Sequence, residues 1–254
     1  MTAFLIFTLQ APLASWGEIA VGEWRGSWDR PSRSAIIGVM GAALGVDRDD
    51  ADGQRALIDG YRIAVRSDAI GTTMHDYHTM QSVSISALKR RTIVSRADIL
   101  AVPDYEKETI LSRREYRTDV LCTIAVWSQA GARWTLEDIA SALGHPVFTT
   151  FAGRRSNPLG LPMAPVVARA ESLAAAFGNR PPVSAEIMRL LPSLRPKTGW
   201  GQEVAHDECF GFPSGLVEPI ARIVRRDVPV NRRGWLFSER IVCVGALSQP
   251  GAET

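Results

Sequence analysis

The chain has 254 residues, 46% hydrophobic and 22% charged, a globular composition that excludes a disordered or fibrous chain. Its net charge of +2 excludes an overall polycation, and a chain of this length buries a sizeable core without disulfide staples. One anomaly remains: 26 of the 29 basic residues are Arg, with Lys confined to Lys89, Lys107 and Lys197.

Residues 2–10 read as a strand through Phe4, Leu5, Ile6 and Phe7, ending before Pro12. A polar loop with Trp16, Trp24 and Trp28 follows, and Pro31-Ser32 announces a helix with Ser32 as N-cap. Ile36, Ile37, Val39, Met40, Ala43 and Leu44 give that helix its apolar face, and Gly45 stops it. A second helix is expected over 49–59, then strands over 61–66 and 72–79. Residues 84–117 read as a basic, irregular insertion. A core strand over 118–127, a short helix over 135–143 capped by Thr135, and a closing strand at 148–151 complete the order. Strand, helices, two strands, helix and strand suit an α+β module of the split βαβ, ferredoxin-like or RRM-like type through about residue 150. Seven prolines from Pro158 to Pro196 mark a loop-rich region with one helix at 185–191. Strands over 221–228 and 235–244 then pair across a turn at 231–234.

Charge is unevenly placed. Residues 86–117 carry 8 basic and 5 acidic side chains, and residues 222–240 carry 6 and 2. Two readings of the Arg excess compete: a GC-rich genome, which would favour Arg over Lys but not set where these residues sit, and recognition of phosphates and bases, which guanidinium suits through bidentate contacts and stacking. Cys122, Cys209 and Cys243 form no CxxC pair, and their odd number points to free thiols in a reducing cytoplasm. No basic stretch precedes the first apolar run and no apolar run exceeds 12 residues, so neither a secretory leader nor a membrane span is expected.

The sequence offers no metal or cofactor site. His75 and His78 are three apart on a strand and face opposite sides, while His145 and His206 stand alone. No nucleophile signature occurs, so no catalytic residue is assigned. A metal-independent ribonuclease needs a base and an acid, for which His75, Tyr77, His78 and Tyr116 are the available groups. Hydrogen bonding within the fold or stacking on a base is the competing use of the same residues. Gly153-Arg-Arg-Ser-Asn-Pro158 offers a flexible Gly, two guanidiniums and a hydroxyl after an expected strand, a pattern able to hold a phosphate.

Four segments in order carry a resemblance: Gln10-Ala-Pro-Leu-Ala-Ser-Trp-Gly17, Arg30-Pro-Ser-Arg-Ser-Ala-Ile-Ile-Gly38 running on to Ala42-Ala-Leu-Gly45, Asp76-Tyr77-His78-Thr79, and Gly153-Arg-Arg-Ser-Asn-Pro-Leu159. Together with Arg225-Arg226-Asp227-Val-Pro229 and Arg240-Ile-Val, the chain resembles the CasD family of the RAMP superfamily. These are type I-E CRISPR-associated proteins that cap the 5′ handle of the guide RNA (crRNA) in the Cascade complex. The resemblance implies an RRM-like domain over 1–150, a thumb hairpin at about 84–117, and a smaller β-rich domain over 151–254. It implies a non-catalytic role in antiviral defence, with the crRNA 5′ handle, the backbone subunit and the large PAM-reading subunit as partners. Target DNA would be met indirectly through the complex. A related member cuts repeat RNA, so the endoribonuclease alternative stays open. Single-stranded RNA is met by Arg and aromatic side chains, by hydroxyls, and by Gly where backbones approach closely. The residues expected to meet it are Ser15, Trp16, Gly17, Arg30, Ser32, Arg33, Tyr77, His78, Arg113, Arg117, Gly153, Arg154, Arg155 and Ser156.

Overall fold

The computed structural model describes residues 1–18, 20, 22–194, 203–208, 211–231 and 236–247. In chain order these form β1 (Thr2–Ala14), β2 (Trp16–Gly17), β3 (Trp24–Arg25), β4 (Ser27–Trp28), α1 (Arg33–Leu44) and α2 (Ala51–Gly60). Next come β5 (Tyr61–Ala69), β6 (Thr72–Val83), α3 (Ile85–Leu88), α4 (Arg96–Ala101), β7 (Lys107–Ser128) and α5 (Leu136–Gly144). The remainder gives β8 (Val166–Ala170), α6 (Leu173–Phe177), α7 (Ala185–Leu190), β9 (Glu203–His206), β10 (Val217–Asn231) and β11 (Leu236–Ala246).

One large mixed sheet organises these elements, in the order β10-β11-β9-β5-β7-β1-β8, with β3 and β6 also paired to β7. Every pairing along that path is antiparallel; β3 runs parallel to β7. Period-two alternation divides the core. Leu5, Phe7 and Leu9 of β1, with Cys122, Ile124 and Val126 of β7, face Ile36, Ile37, Met40, Leu57 and Ile139 of the helices. Phe4, Ile6, Ala125 and Trp127 face the other way, against Leu173 and Phe177 of α6.

Local chemistry sets the helix ends. Ser32 caps α1, its hydroxyl accepting from the Ala35 N–H, and Gly45 closes it in the left-handed conformation at φ 74°. Asp50 caps α2, and Thr135 with Asp138 forms a reciprocal capping box on α5.

Three sequence expectations change. The first strand runs through Pro12 to Ala14 because the ladder skips the pairing of Pro12 with Asp119, which has φ 53°, so no N–H is required there. Residues 107–117 are not irregular: they begin the 22-residue β7, which pairs with β6 over 107–118, and 84–106 form the connection at the tip. Residues 148–151 do not close the sheet. The Val147 and Phe148 N–H groups instead donate to the Ala43 and Ala42 carbonyls at the end of α1, and β8 takes the place beside β1. The expected C-terminal hairpin is present as β10 and β11, with its turn at 232–235 outside the described residues. Cys122 and Cys243 are buried free thiols, and Cys209 lies outside the described residues.

Candidate nucleic-acid interface

The β6–β7 hairpin carries two distinct faces, because residues opposite each other in an antiparallel pair share a side. Thr73, His75 and Tyr77 lie opposite Arg117, Glu115 and Arg113. Trp24 pairs with Arg113 from β3, and its ring sits 5.4 Å from that of His75. Tyr77 is 57% exposed and Trp24 45%, so this face presents aromatic and basic groups to solvent. The reverse face pairs Met74 with Tyr116, Asp76 with Arg114, His78 with Ser112 and Met80 with Ile110. There His78 Nδ1 contacts Asp76 at 2.6 Å. His75 and Tyr77 therefore share one side of the hairpin and His78 takes the other, as the three-residue spacing predicts.

The Gly153–Ser156 loop is locked to the end of β1. Ser15 N–H donates to the Ala152 carbonyl, and the buried Asn157 donates from its side chain to the same oxygen. A methyl group on Gly153 would stand 1.9 Å from the Ser15 carbonyl oxygen, and its φ of +84° also favours glycine. Arg154 donates to the Tyr116 hydroxyl at 2.6 Å, with its guanidinium 4.7 Å from the ring centre. Arg155 and Ser156 are exposed beside it. Arg154 and its exposed neighbours Arg155 and Ser156 thus sit at the hairpin root, with Arg154 held there by the buried Tyr116.

Most of the other expected contact residues are internal. Trp16 is buried with Ala11, Ala14, Val120 and Ala152, so it covers the core instead of offering a free ring. Ser15 is buried and its hydroxyl donates to the Glu115 carbonyl, and Ser32 is occupied as the cap of α1. Gly17 is exposed with open space around it. Arg30 makes a bidentate pair with Asp29 and contacts Glu203 at 2.6 Å. Burial works against its charge, but these carboxylates hold its pKa above the ordinary arginine value. Arg33 is buried, paired to Asp207, and donates to the Ile58 and Tyr61 carbonyls. Arg33 is committed inside the fold, and Arg30 is held by its carboxylates with only Nη1 left without a partner, where a surface position at the start of α1 is expected for both.

The C-terminal arginine cluster is likewise partly internal. Arg240 bridges Asp227 at 2.7 Å and Asp207 at 2.6 Å, while the Arg33 N–H donates to Asp227 at 2.8 Å. Asp207 also accepts from the Ile63 N–H, so this clasp ties β11, β10, β5 and α1 together. Burial raises the pKa of Asp227, yet Arg240, the Arg33 N–H and Arg225 more than offset this and hold it below the ordinary carboxylate value. Arg225 lies 3.9 Å over the Trp28 ring. Arg222 and Arg226 face outward. Sequence reading missed this clasp, although Arg225 and Asp227 at period two, with Arg226 between them, already place one charged pair on a single side of the strand.

A cleft of about 410 Å³ opens at the hairpin root. Trp28, Arg30 and Arg117 line it, together with Ile223, Val242 and Val244 of the β10–β11 pair. Among the described residues, no group of three or more His, Cys, Asp or Glu side chains is placed to hold a metal, and no helix is long and apolar enough to cross a membrane.

A mixed α/β protein on a large antiparallel sheet, with a projecting hairpin, is the class defined by these features. The model described as CRISPR-associated protein (Cas_Cas5) matches residues 4–243, and the chain belongs to that family. The CRISPR system Cascade subunit CasD of Escherichia coli (strain K12) is 30% identical over 195 residues, covering 74% of this chain and 81% of that protein. A chain of a solved CRISPR RNA-guided surveillance complex is 25% identical, with a TM-score of 0.59 and coverage of 98% of this chain and 95% of that one. A crystal structure of a Cas protein shares the fold at 20% identity, TM-score 0.53, with coverage of 96% and 94%.

Proposed function

We propose that the chain is a non-catalytic subunit of a CRISPR surveillance complex that grips the 5′ handle of the crRNA. The observation that carries this reading is the Arg154–Arg155–Ser156 surface, locked beside the arginine-rich root of the β6–β7 hairpin in a chain 30% identical to a Cascade subunit. Exposed guanidiniums and aromatic rings suit splayed bases and phosphates of a single strand. The order β8-β1-β7-β5, with α1 and α2 after β1 and α5 after β7, supports a ferredoxin-like or RRM-like reading of the N-terminal part, completed by β8 beyond residue 150. In this reading the hairpin is the thumb, meeting the guide and the backbone subunit, while the large PAM-reading subunit is a further neighbour. The protein acts in the cytoplasm, without a cofactor, in antiviral defence.

Binding of a handle oligonucleotide, compared between the wild type and a variant with Arg154→Ala and Arg155→Ala, tests the reading. Weakened binding is expected; unchanged binding would remove the loop from the interface. The ribonuclease alternative draws on the His78–Asp76 contact. Against it, His75 and Tyr77 lie on the opposite side from His78, and Tyr116 is buried with its hydroxyl engaged by Arg154.

A further inference from the structure

We infer that the cleft at the hairpin root accepts a single unstacked RNA base, its edge between Arg30 and Arg117 and its face against Ile223, Val242 and Val244. The inference rests on the RNA-binding reading above and specifies where within that surface a base is held. The cleft volume of about 410 Å³ is in the range of small-molecule sites.

Charge decides between base and phosphate. Three guanidiniums, from Arg30, Arg117 and Arg225, line the cleft, and so do three carboxylates, from Glu18, Asp29 and Glu203. Arg30 is already paired with two of those carboxylates, so a phosphate would enter against negative charge. A base is neutral and presents donors and acceptors along its edges, which a mixed lining of guanidiniums and carboxylates can meet.

Two donors point the same way. Arg30 Nη1 and Arg117 Nε are buried without an acceptor. Buried donors are costly to leave unpaired, and both belong to side chains that line the cleft. Arg30 keeps Asp29 and Glu203 through its Nε and Nη2, so its Nη1 and the Arg117 Nε are the donors a base carbonyl entering the cleft can meet. The route in is also marked: Arg117 shares its hairpin face with Arg113, Tyr77 and His75, so a strand tracking that aromatic and basic face arrives at the cleft.

Fluorescence anisotropy with octauridylate, octaadenylate and a base-free ribose-phosphate octamer tests this on the full chain. The wild type is expected to bind a base-bearing octamer about tenfold tighter than the base-free one. Ala221→Phe, which fills the cleft from its wall, should abolish that preference. Arg117→Met, which keeps the aliphatic stem, should reduce it if Ala221→Phe fails to fold. Arg155→Ala should weaken all octamers alike and preserve the ratio. Equal wild-type affinity for all octamers, or a preference that survives Ala221→Phe, would overturn the base site and leave RNA binding standing. Failure to bind any octamer would overturn the RNA reading itself. Competition by free uridine or adenosine monophosphate as effective as the octamers would assign the cleft to a free nucleotide and overturn the RNA source. Normal RNA preference in Ala221→Phe, with loss of assembly into the complex, would assign it to a protein side chain and overturn it equally.

Discussion

The α-carbon of Gly153 packs directly on the carbonyl of Ser15, leaving no room for a β-carbon: one would lie 1.9 Å from that oxygen. This contact fixes the Arg154–Arg155 loop to the end of β1. Gly153→Ala combines that clash with a positive φ, for which a cost of about 1–3 kcal/mol in stability is expected. Thermal denaturation checks it. RNA affinity should fall as well, because the loop must move to relieve the contact.

Removing both guanidiniums of that loop should separate binding from folding. Arg154→Ala with Arg155→Ala is expected to weaken handle binding by about 1.5–3 kcal/mol for each charged hydrogen bond lost. The thermal midpoint should fall only modestly, since Arg155 is exposed and Arg154 is half-buried with the hydroxyl of the buried Tyr116 as its hydrogen-bond partner. Titration of labelled handle RNA at fixed ionic strength is the measurement.

The Arg240–Asp227 pair makes stability depend on acidity. The folded state holds Asp227 below its ordinary carboxylate value of 3.8, so the contribution is complete above that value and lost as pH falls through the folded one. Asp227→Asn leaves buried guanidiniums short of a partner and should cost about 3–5 kcal/mol at neutral pH. Its stability and that of the wild type should converge on acidification. Urea unfolding measured from pH 7 down to pH 3 reads this out.

Much of the fold is legible in the residues. Ser32, Asp50 and Thr135 announce α1, α2 and α5 through local caps, and Phe4 to Phe7 announce β1 through their bulk. What escapes is non-local. Residues 148–151 look like a strand, but their neighbourhood is the end of α1, and only tertiary contacts reveal that the nearby N–H groups serve the Ala42 and Ala43 carbonyls. The site shows the same division. Gly153 and its two arginines stand out as a local pattern, whereas Arg30 and Arg33 reveal their burial only when Glu203 and Asp207 arrive from 173 and 174 residues away.

Catalysis is expected to be absent. Labelled repeat RNA incubated with purified protein in a chelator should remain intact. Specific cleavage that disappears in His78→Ala would instead establish the endoribonuclease reading.

The most direct measurement is the salt dependence of binding to an RNA matching the 5′ handle of the crRNA. With several guanidiniums at the hairpin root meeting phosphates, log affinity should fall linearly with log salt, at about −0.7 per phosphate contacted. The double substitution at Arg154 and Arg155 should make that slope shallower. Binding that is absent at low salt, or present with a slope near zero, would contradict the assignment of this surface to RNA.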